Sequence, residues 1–270
     1  MPLLIAGGDS FTWGNDLKPG PDGYSHQTWS YLLSQELNMN YQCVAKPGGS
    51  NSAVCRRIIR EITEQSSNNN DIYVAVMWTF THREEIRLRS GIFPFNTHNE
   101  FELDNNWINF TPWHGVSLQE RLQIMNIKPH ETDRIEFYTR VNDTLEKTGV
   151  AEAAKYYYNV TGDHLSSYFN SIKEIIILQS FLESKNIPYF FCAVSNEVFG
   201  ITEREEINNK ELSKYGLPSI INWSKWYKDN SFYEWSKEHK YPIIGTHPNG
   251  DAHKDWKQLI LSKAKECWQI

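Results

Sequence analysis

The sequence predicts an α/β fold in which an open parallel sheet carries helices on both faces. Short apolar segments typical of strands alternate with longer segments of helical periodicity along much of the 270-residue chain. The clearest strand, residues 71–78, is apolar at nearly every position, as expected of a strand covered on both sides. Such sheets bind ligands beyond the carboxyl ends of their strands.

The first third of the chain has the most regular alternation. Apolar residues recur at helical spacing in the segment that contains Trp29, Leu33 and Leu37, and Gly and Pro separate it from the first strand. The predicted elements are strand 2–6, loop 18–23, helix 28–37, strand 41–45, a Gly-rich turn at 46–51, helix 52–65 capped near Ser50 or Asn51, and strand 71–78.

The middle of the chain interrupts this alternation. Residues 90–160 are rich in Asn, Trp, Phe and His, and we interpret them as an irregular, aromatic-rich insertion in a single domain that spans residues 1–270. Helical pieces are predicted at 118–125 and 133–147 within the insertion, followed by helix 164–184, strand 187–194, an irregular stretch at 196–244 and a last helix at 251–267.

Composition and charge exclude several classes of partner. The net charge is −6 with acidic and basic residues mixed, so we expect neither a nucleic-acid partner nor a membrane surface. The densest basic cluster, Arg56, Arg57 and Arg60, is interpreted as a solvated helix face. The four cysteines are widely spaced and are expected to be buried free thiols. Without a signal-like or membrane-spanning segment, a cytoplasmic location is expected.

Ser10 closes the turn Gly7-Gly8-Asp9-Ser10 that ends the first strand, a place where a serine hydroxyl is expected to be exposed for chemistry. Gly48 and Thr79 follow the next two strands, so a parallel sheet would bring all three residues to one edge. A serine acts as a nucleophile when a base takes its proton and donors stabilise the oxyanion. The alternative is an Asx turn or helix cap, in which Asp9 and Ser10 bond local amides.

Three motifs together resemble the SGNH (GDSL-type) hydrolases. They are Gly8-Asp9-Ser10, Gly48 with Ser50-Asn51, and the late His247-Pro248-Asn249. The resemblance implies a flavodoxin-like, three-layer α/β/α sandwich. It also implies Ser10 as nucleophile, the N–H groups of Ser10 and Gly48 as oxyanion donors, and His247 as base. A loop histidine satisfied by the backbone is the alternative for His247.

The chain departs from the family pattern at two places. Ile244 stands three residues before His247, where the family has an aspartate, so the orienting carboxylate has to come from elsewhere. Glu197 and Asp251 are the candidates for this third member. The third block, residues 77–84, contains no asparagine, and the hydroxyl of Thr79 or Thr81 is the candidate replacement as an oxyanion donor.

Residues beside these motifs are candidates for substrate binding. Arg83 would stabilise negative charge or form a surface salt bridge with Glu84 or Glu85. Aromatic residues of the insertion would stack on sugar rings, or serve as core or oligomer contacts. No cofactor and no metal site are predicted, since phosphate-loop and short His–His patterns are missing. The substrate-binding candidates are Asp9, Asn51, Trp78 and Arg83, and the insertion aromatics are Trp107, Phe110, Trp113 and Tyr156 to Tyr158.

These residues favour a serine-dependent ester hydrolase or acyl transferase that acts on a small-molecule or carbohydrate ester. The alternative is a catalytically inactive protein of the same fold with a binding or assembly role. The third block loosely resembles divergent SGNH-like proteins of tailed phages, so a virion component or a homo-oligomer belongs to this alternative.

Overall fold

The computed structural model describes residues 1–65, 71–87, 107–124, 127–160, 164–200 and 216–270. The chain divides into two compact units. The first consists of Met1–Thr81 and Tyr168–Ile270, and the second is His82–Ser167. The second unit contains the whole span that we interpret as an insertion, although residues 90–106 and 125–126 of that span lie outside the described part.

Strands and helices alternate along the described chain. The strands are β1 (Leu3–Gly7), β2 (Asn40–Cys43), β3 (Ile72–Trp78), β4 (Glu84–Arg87), β5 (Trp107–Phe110), β6 (Tyr189–Ala193), β7 (Ile243–Ile244) and β8 (His247–Pro248). The α-helices are α1 (Ser10–Trp13), α2 (Trp29–Glu36), α3 (Asn51–Gln65), α4 (Leu118–Ile124), α5 (Thr132–Lys147), α6 (Val150–Val160), α7 (His164–Ser184), α8 (Leu217–Ile220), α9 (Phe232–Glu238) and α10 (Gly250–Trp268).

The main sheet of the first unit is parallel and has the strand order β2-β1-β3-β6. This corresponds to the first four strands of the flavodoxin-like order. Ala6 of β1 pairs with Cys43 on one side and with Ala75 on the other, so the two central strands end at a common edge. The residues that follow β1, β2 and β3 therefore start from the same side of the sheet.

Helices cover both faces of this sheet. On one face α3 packs so closely on β1 that a Cβ on Gly7 would lie 2.8 Å from the Cδ1 of Ile58. On the other face Trp29 of α2 and Trp256 of α10 join a buried cluster with Leu4 and Phe190 of the sheet. The predicted three-layer α/β/α fold is confirmed, because alternate strand residues are buried on opposite sides by different helices.

Most differences from the predicted elements are small shifts of their ends. Helices α1, α6, α8 and α9 and the antiparallel pairs β4–β5 and β7–β8 were not predicted. The strands of these pairs have four residues or fewer and no clear alternation. Arg57 corrects the interpretation of the basic cluster as solvated, because it is buried against the sheet side of α3 with 2% exposure. All four cysteines are buried free thiols, as expected.

The second unit has its own small core. Strands β4 and β5 pair through Ile86 and Ile108, and Ile108 packs with Val141 and Leu145 of α5. Arg121 of α4 is buried and donates from Nε to the carbonyl of Trp113. The unit thus combines a short antiparallel pair of strands with helices α4 to α6 around buried aliphatic side chains.

Candidate active site

Ser10 and His247 meet at the carboxyl edge of the main sheet. The Oγ of Ser10 lies 2.7 Å from the Nε2 of His247, although the two residues are 237 positions apart in sequence. Both are nearly buried, with 6% and 7% exposure. The distance suits a hydrogen bond in which the serine hydroxyl donates to a neutral imidazole.

The turn after β1 fixes the position of Ser10. Gly8 has no room for a side chain, because a Cβ there would lie 2.3 Å from the Oγ1 of Thr12. The carboxylate of Asp9 accepts the N–H of Phe11 at 3.0 Å and so caps the four-residue helix α1. Ser10 is the first residue of that helix, and Gly14 ends it in the left-handed conformation with φ +80°.

A carboxylate outside the predicted candidates contacts His247. The Oδ2 of Asp16 lies 2.6 Å from the Nδ1 of His247. The same oxygen accepts the backbone N–H of Thr246 at 2.9 Å. The imidazole therefore contacts a carboxylate at one ring nitrogen and a serine hydroxyl at the other.

The electrostatics of Asp16 favour its ionised form. Burial by itself would raise the pKa of Asp16, but the hydrogen bonds from His247 and Thr246 and the charge of His247 outweigh it, so the pKa lies below its usual value. An ionised Asp16 accepts a hydrogen bond from the Nδ1–H group and so holds the tautomer whose Nε2 is an acceptor. Such a tautomer can take the proton of Ser10.

The hairpin formed by β7 and β8 brings His247 to Asp16. Ile244 of β7 pairs with His247 of β8, and between them Gly245 adopts a left-handed φ of +61°. A Cβ on Gly245 would lie 2.5 Å from the Oδ2 of Asp16. The edge of the Phe11 ring packs on the imidazole at a centroid distance of 4.6 Å, which restrains the ring from the side of α1.

Asp251 and Glu197, the two residues predicted to orient His247, have other contacts. Asp251 is exposed in the first turn of α10, and its Oδ2 accepts the side-chain N–H of Asn249 at 3.3 Å. Glu197 accepts the hydroxyl of Thr81 at 3.3 Å. The structure thus corrects the sequence analysis at this point: Asp16 is the carboxylate on His247, because the β7–β8 hairpin turns Nδ1 toward the segment after α1.

Sequence reasoning missed Asp16 because its position follows no family motif. Its only local signal is that it is the single acidic residue between Ser10 and Pro21. The pairing with His247 spans 231 positions and depends on the hairpin and on the turn after α1. Asp16 would be a candidate if carboxylates close to the nucleophile in sequence were considered together with those close to the histidine.

The backbone groups predicted as oxyanion donors lie in two turns. Gly48 has a φ of +71° in the turn after β2, and a Cβ there would meet nothing within 4 Å. The turn is joined to β1 by a hydrogen bond from Lys46 N–H to the carbonyl of Gly8, at 3.3 Å. Within the described part of the chain, the N–H groups of Ser10 and Gly48 donate to no other residue, so both remain candidate donors.

Thr79 does not fit the predicted role as a side-chain oxyanion donor. It is fully buried, and its hydroxyl donates to the Oδ2 of Asp9 at 2.6 Å. A hydroxyl has one proton to donate, and the hydrogen bond to Asp9 already uses it, so none is left for an oxyanion. The prediction is corrected because the Asp9 carboxylate already accepts the proton that the Thr79 hydroxyl would offer to an oxyanion.

Three predicted substrate-binding residues are buried structural residues instead. Asp9 has 0% exposure and caps α1, and Trp78 has 0% exposure with its ring packed edge-on against Phe191 at 5.4 Å. The side chain of Asn51 bridges β3 and α7, since it accepts the N–H of Thr79 at 2.9 Å and donates to Ser171 at 2.9 Å. These corrections have one cause: the side chains point into the layers, where packing and hydrogen bonds exclude a substrate.

Arg83 belongs to the second unit, and its predicted role in substrate binding stays a prediction. Burial, followed by the positive charges of Arg121 and Arg83, lowers the pKa of His114 in that unit to about 3. Arg83 therefore lies near other charged groups of its own unit. Trp113 packs edge-on against His82 there at 5.8 Å, and the predicted stacking of insertion aromatics on sugars is likewise untested.

Comparison with known proteins shows only distant similarity. No family model matches the chain. A segment of 77 residues, 27% of this chain, is 32% identical to an uncharacterized protein of the cps region of Klebsiella pneumoniae. The match covers 21% of that protein, so the chain spans about a fifth of the length of the curated relative it matches.

A solved structure is similar to most of the chain at low sequence identity. It is a catalytic mutant of an acetylxylan esterase from Geobacillus stearothermophilus, with a TM-score of 0.36 and 11% identity over 97% of this chain and 93% of that one. Similarity at this level assigns neither a family nor a substrate. Neither match supports the loose resemblance to phage proteins or a role in a virion.

Two further observations concern membranes and metals. None of the helices in the described ranges is long and apolar enough to cross a bilayer. The same ranges contain no group of three or more His, Cys, Asp or Glu side chains arranged to hold a metal ion.

Proposed function

We propose that this protein is a serine-dependent ester hydrolase of the SGNH type, in which Ser10, His247 and Asp16 form the catalytic triad. The observation that supports it most strongly is the continuous contact from Ser10 Oγ through the imidazole to Asp16 Oδ2, at 2.7 and 2.6 Å. This arrangement matches the roles of a nucleophile, a base and an orienting carboxylate. The triad is unusual in that its carboxylate follows the nucleophile by six positions.

In the acylation step, Ser10 Oγ attacks the acyl carbonyl carbon while its proton moves to Nε2 of His247. The carbonyl oxygen becomes an oxyanion, for which the N–H groups of Ser10 and Gly48 are the proposed donors. Asp16 stabilises the imidazolium through the hydrogen bond from Nδ1. The imidazolium then gives its proton to the alkoxide oxygen of the leaving group, and the carbon–oxygen bond of the ester breaks.

The deacylation step reverses these roles with water as the nucleophile. His247 takes a proton from water, the hydroxide adds to the acyl carbon, and Ser10 Oγ leaves with the proton that His247 returns. A carboxylic acid is released. If an alcohol replaces water in this step, the same residues transfer the acyl group, so the proposal includes acyl transfer.

The burial of the site favours a small acyl group on a larger alcohol. Ser10 and His247 have exposures of 6% and 7%, and Phe11 packs against the imidazole, so both side chains are nearly covered by the protein. A short acyl chain reaches such a hydroxyl with less displacement of the protein than a long one. We therefore propose an O-acetylated carbohydrate or a similar small-acyl ester as the substrate class.

The alternative of a catalytically inactive protein is weakened by Asp16. The inactive alternative was favoured because no aspartate stands three residues before His247. Asp16 supplies a carboxylate to the Nδ1 of His247 instead. The proton of Ser10 also has an acceptor within hydrogen-bond distance.

The test is covalent labelling with a fluorophosphonate together with hydrolysis of 4-nitrophenyl esters. Wild type is expected to be labelled and to hydrolyse the acetate faster than the octanoate, whereas Ser10→Ala should not be labelled. Ser184→Ala is the matched control, because Ser184 is exposed and its hydroxyl donates to the carbonyl of Phe181 in its own helix. Unlabelled and inactive wild type, or labelling that persists in Ser10→Ala, would refute the proposal.

A further inference from the structure

A cavity of about 620 Å³ lies in the first unit between residues 223–229 and the C-terminal half of α10. Its lining shares no residue with the proposed triad or with the contacts of Ser10, His247 and Asp16 described above. Its volume falls within the range of small-molecule sites, roughly 300–1,000 Å³. The cavity is therefore large enough for a ligand and is separate in its residues from the candidate active site.

Aromatic rings form one side of this cavity and are held rigidly. Trp223 and Trp226 pack at a centroid distance of 5.2 Å, and Tyr227 packs edge-on against Trp256 at 5.2 Å. The segment is also tied to the edge of the main sheet, since Tyr227 N–H donates to the carbonyl of Phe191 at 2.9 Å. Trp223 is only half-buried, so part of its ring surface is available to a ligand.

Charged side chains of both signs form the rim. Lys228 and Asp229 come from the aromatic segment, while Lys263 and Glu266 come from α10 and form an ion pair at 2.7 Å. The two positive and two negative charges cancel, so the cavity has no net preference for an anion or a cation. The rim nevertheless offers both donors and acceptors of hydrogen bonds.

We propose that this cavity is a binding site for a neutral oligosaccharide. A sugar ring has an apolar face of C–H groups, which suits the exposed surface of Trp223. Its hydroxyl groups suit a lining that offers both a donor, such as Lys228, and an acceptor, such as Asp229. The balanced charge of the rim disfavours acidic sugars relative to neutral ones. This site does not depend on the proposed hydrolase activity.

The test uses calorimetric titration of the full chain with xylotetraose, cellotetraose and chitotetraose, and with tetragalacturonic acid as an acidic comparison. At least one neutral tetrasaccharide is expected to bind more tightly than the acidic one. Trp223→Ala should weaken that binding by about tenfold, the equivalent of losing one aromatic contact.

Blocking the cavity gives a second, independent variant. Ser262 is exposed on α10 and lines the cavity, so Ser262→Trp should fill it and weaken binding by about tenfold or more. Lys254→Trp places the same side chain at an exposed position of the same helix outside the lining and should bind like wild type. Both variants should keep the thermal unfolding temperature of wild type.

Hydrolysis of 4-nitrophenyl acetate separates this proposal from the proposed catalytic function. Ser262→Trp should hydrolyse the ester as fast as wild type while losing the sugar, and an inactive wild type that still binds the sugar would refute only the hydrolase. The binding site is refuted if no neutral tetrasaccharide binds at millimolar concentration, if the acidic one binds more tightly, or if Ser262→Trp binds as well as Lys254→Trp.

Discussion

At the residue scale, Asp16 determines which nitrogen of His247 can take a proton. Its Oδ2 accepts from Nδ1 of His247 and from the N–H of Thr246, and these contacts lower the pKa of Asp16 against the effect of burial. The carboxylate is thus held in its ionised form, the form that accepts the hydrogen bond from Nδ1. Its loss would remove the orientation of the base while leaving Ser10 in place.

Replacing Asp16 by asparagine is expected to lower kcat for 4-nitrophenyl acetate by about 10³- to 10⁴-fold, with KM near wild type. The amide can donate to Nδ1, which would place the imidazole proton on Nε2 and remove the acceptor for Ser10. The measurement is steady-state kinetics of Asp16→Asn beside Asp251→Asn.

Asp251→Asn is the matched control because Asp251 is exposed and contacts Asn249. It should stay within about twofold of wild type, as surface substitutions usually do. Equal losses in the two variants would contradict the role given to Asp16.

At the scale of elements, two turns assemble the site around the end of β1. The turn into α1 carries Ser10, and the β7–β8 hairpin carries His247. Gly245 lets the hairpin approach Asp16, since its φ is +61° and a Cβ would lie 2.5 Å from the carboxylate oxygen. The hairpin can thus lie against the Asp16 carboxylate because Gly245 has no side chain.

Gly245→Ala is expected to lower kcat by about a hundredfold, because the new methyl group displaces the carboxylate from His247. It should also destabilise the fold by about 1 kcal/mol through the left-handed φ. Steady-state kinetics and urea unfolding measure the two effects.

Gly216→Ala is the control that separates the effect of backbone strain at a left-handed φ from the effect of a collision with Asp16. Gly216 has a similar φ of +67°, but a Cβ there would meet nothing within 4 Å. This variant should lose a similar amount of stability and keep its kcat. If its kcat fell as far as that of Gly245→Ala, the collision with Asp16 would not be the cause.

At the scale of the whole molecule, each compact unit contains a histidine whose pKa is lowered by its surroundings. Burial, followed by the charge of His247, lowers the pKa of His253 to about 3 in the first unit. Burial also lowers that of His114 to about 3 in the second. Because the unfolded chain binds these protons at a pKa near 6.5, stability is complete above that pH and falls as the pH drops toward 3.

The free energy of unfolding should therefore fall between pH 8 and pH 5 by about 2 kcal/mol for His253 alone. His253→Asn should remove this part of the pH dependence while keeping an acceptor for the N–H of Trp29, which His253 Nδ1 binds at 3.3 Å. Urea unfolding at the two pH values measures the difference. His239→Asn, at an exposed histidine of the same unit, should keep the wild-type dependence, and an equal flattening in both variants would contradict this account.

The parts of the fold that sequence could predict are those with local patterns. The apolar strands and the periodicity of α7 and α10 gave the layered architecture, because burial on a sheet or helix face imposes a repeat on the residues themselves. The turn residues around Ser10 and Gly48 likewise marked the end of a strand. Elements of two to four residues, such as β7 and β8, carry too few positions for a pattern.

The sequence by itself was enough to predict the parallel sheet with its covering helices, and to name Ser10 and His247 as the candidate nucleophile and base. Only the tertiary structure decided that Asp16 contacts the imidazole and that Asp9, Thr79 and Asn51 are buried together. Those contacts join residues between 28 and 231 positions apart. These residues come into contact because turns and strand ends lie close together in the folded protein. Such proximity produces no repeating pattern in the sequence, so the sequence alone could not predict it.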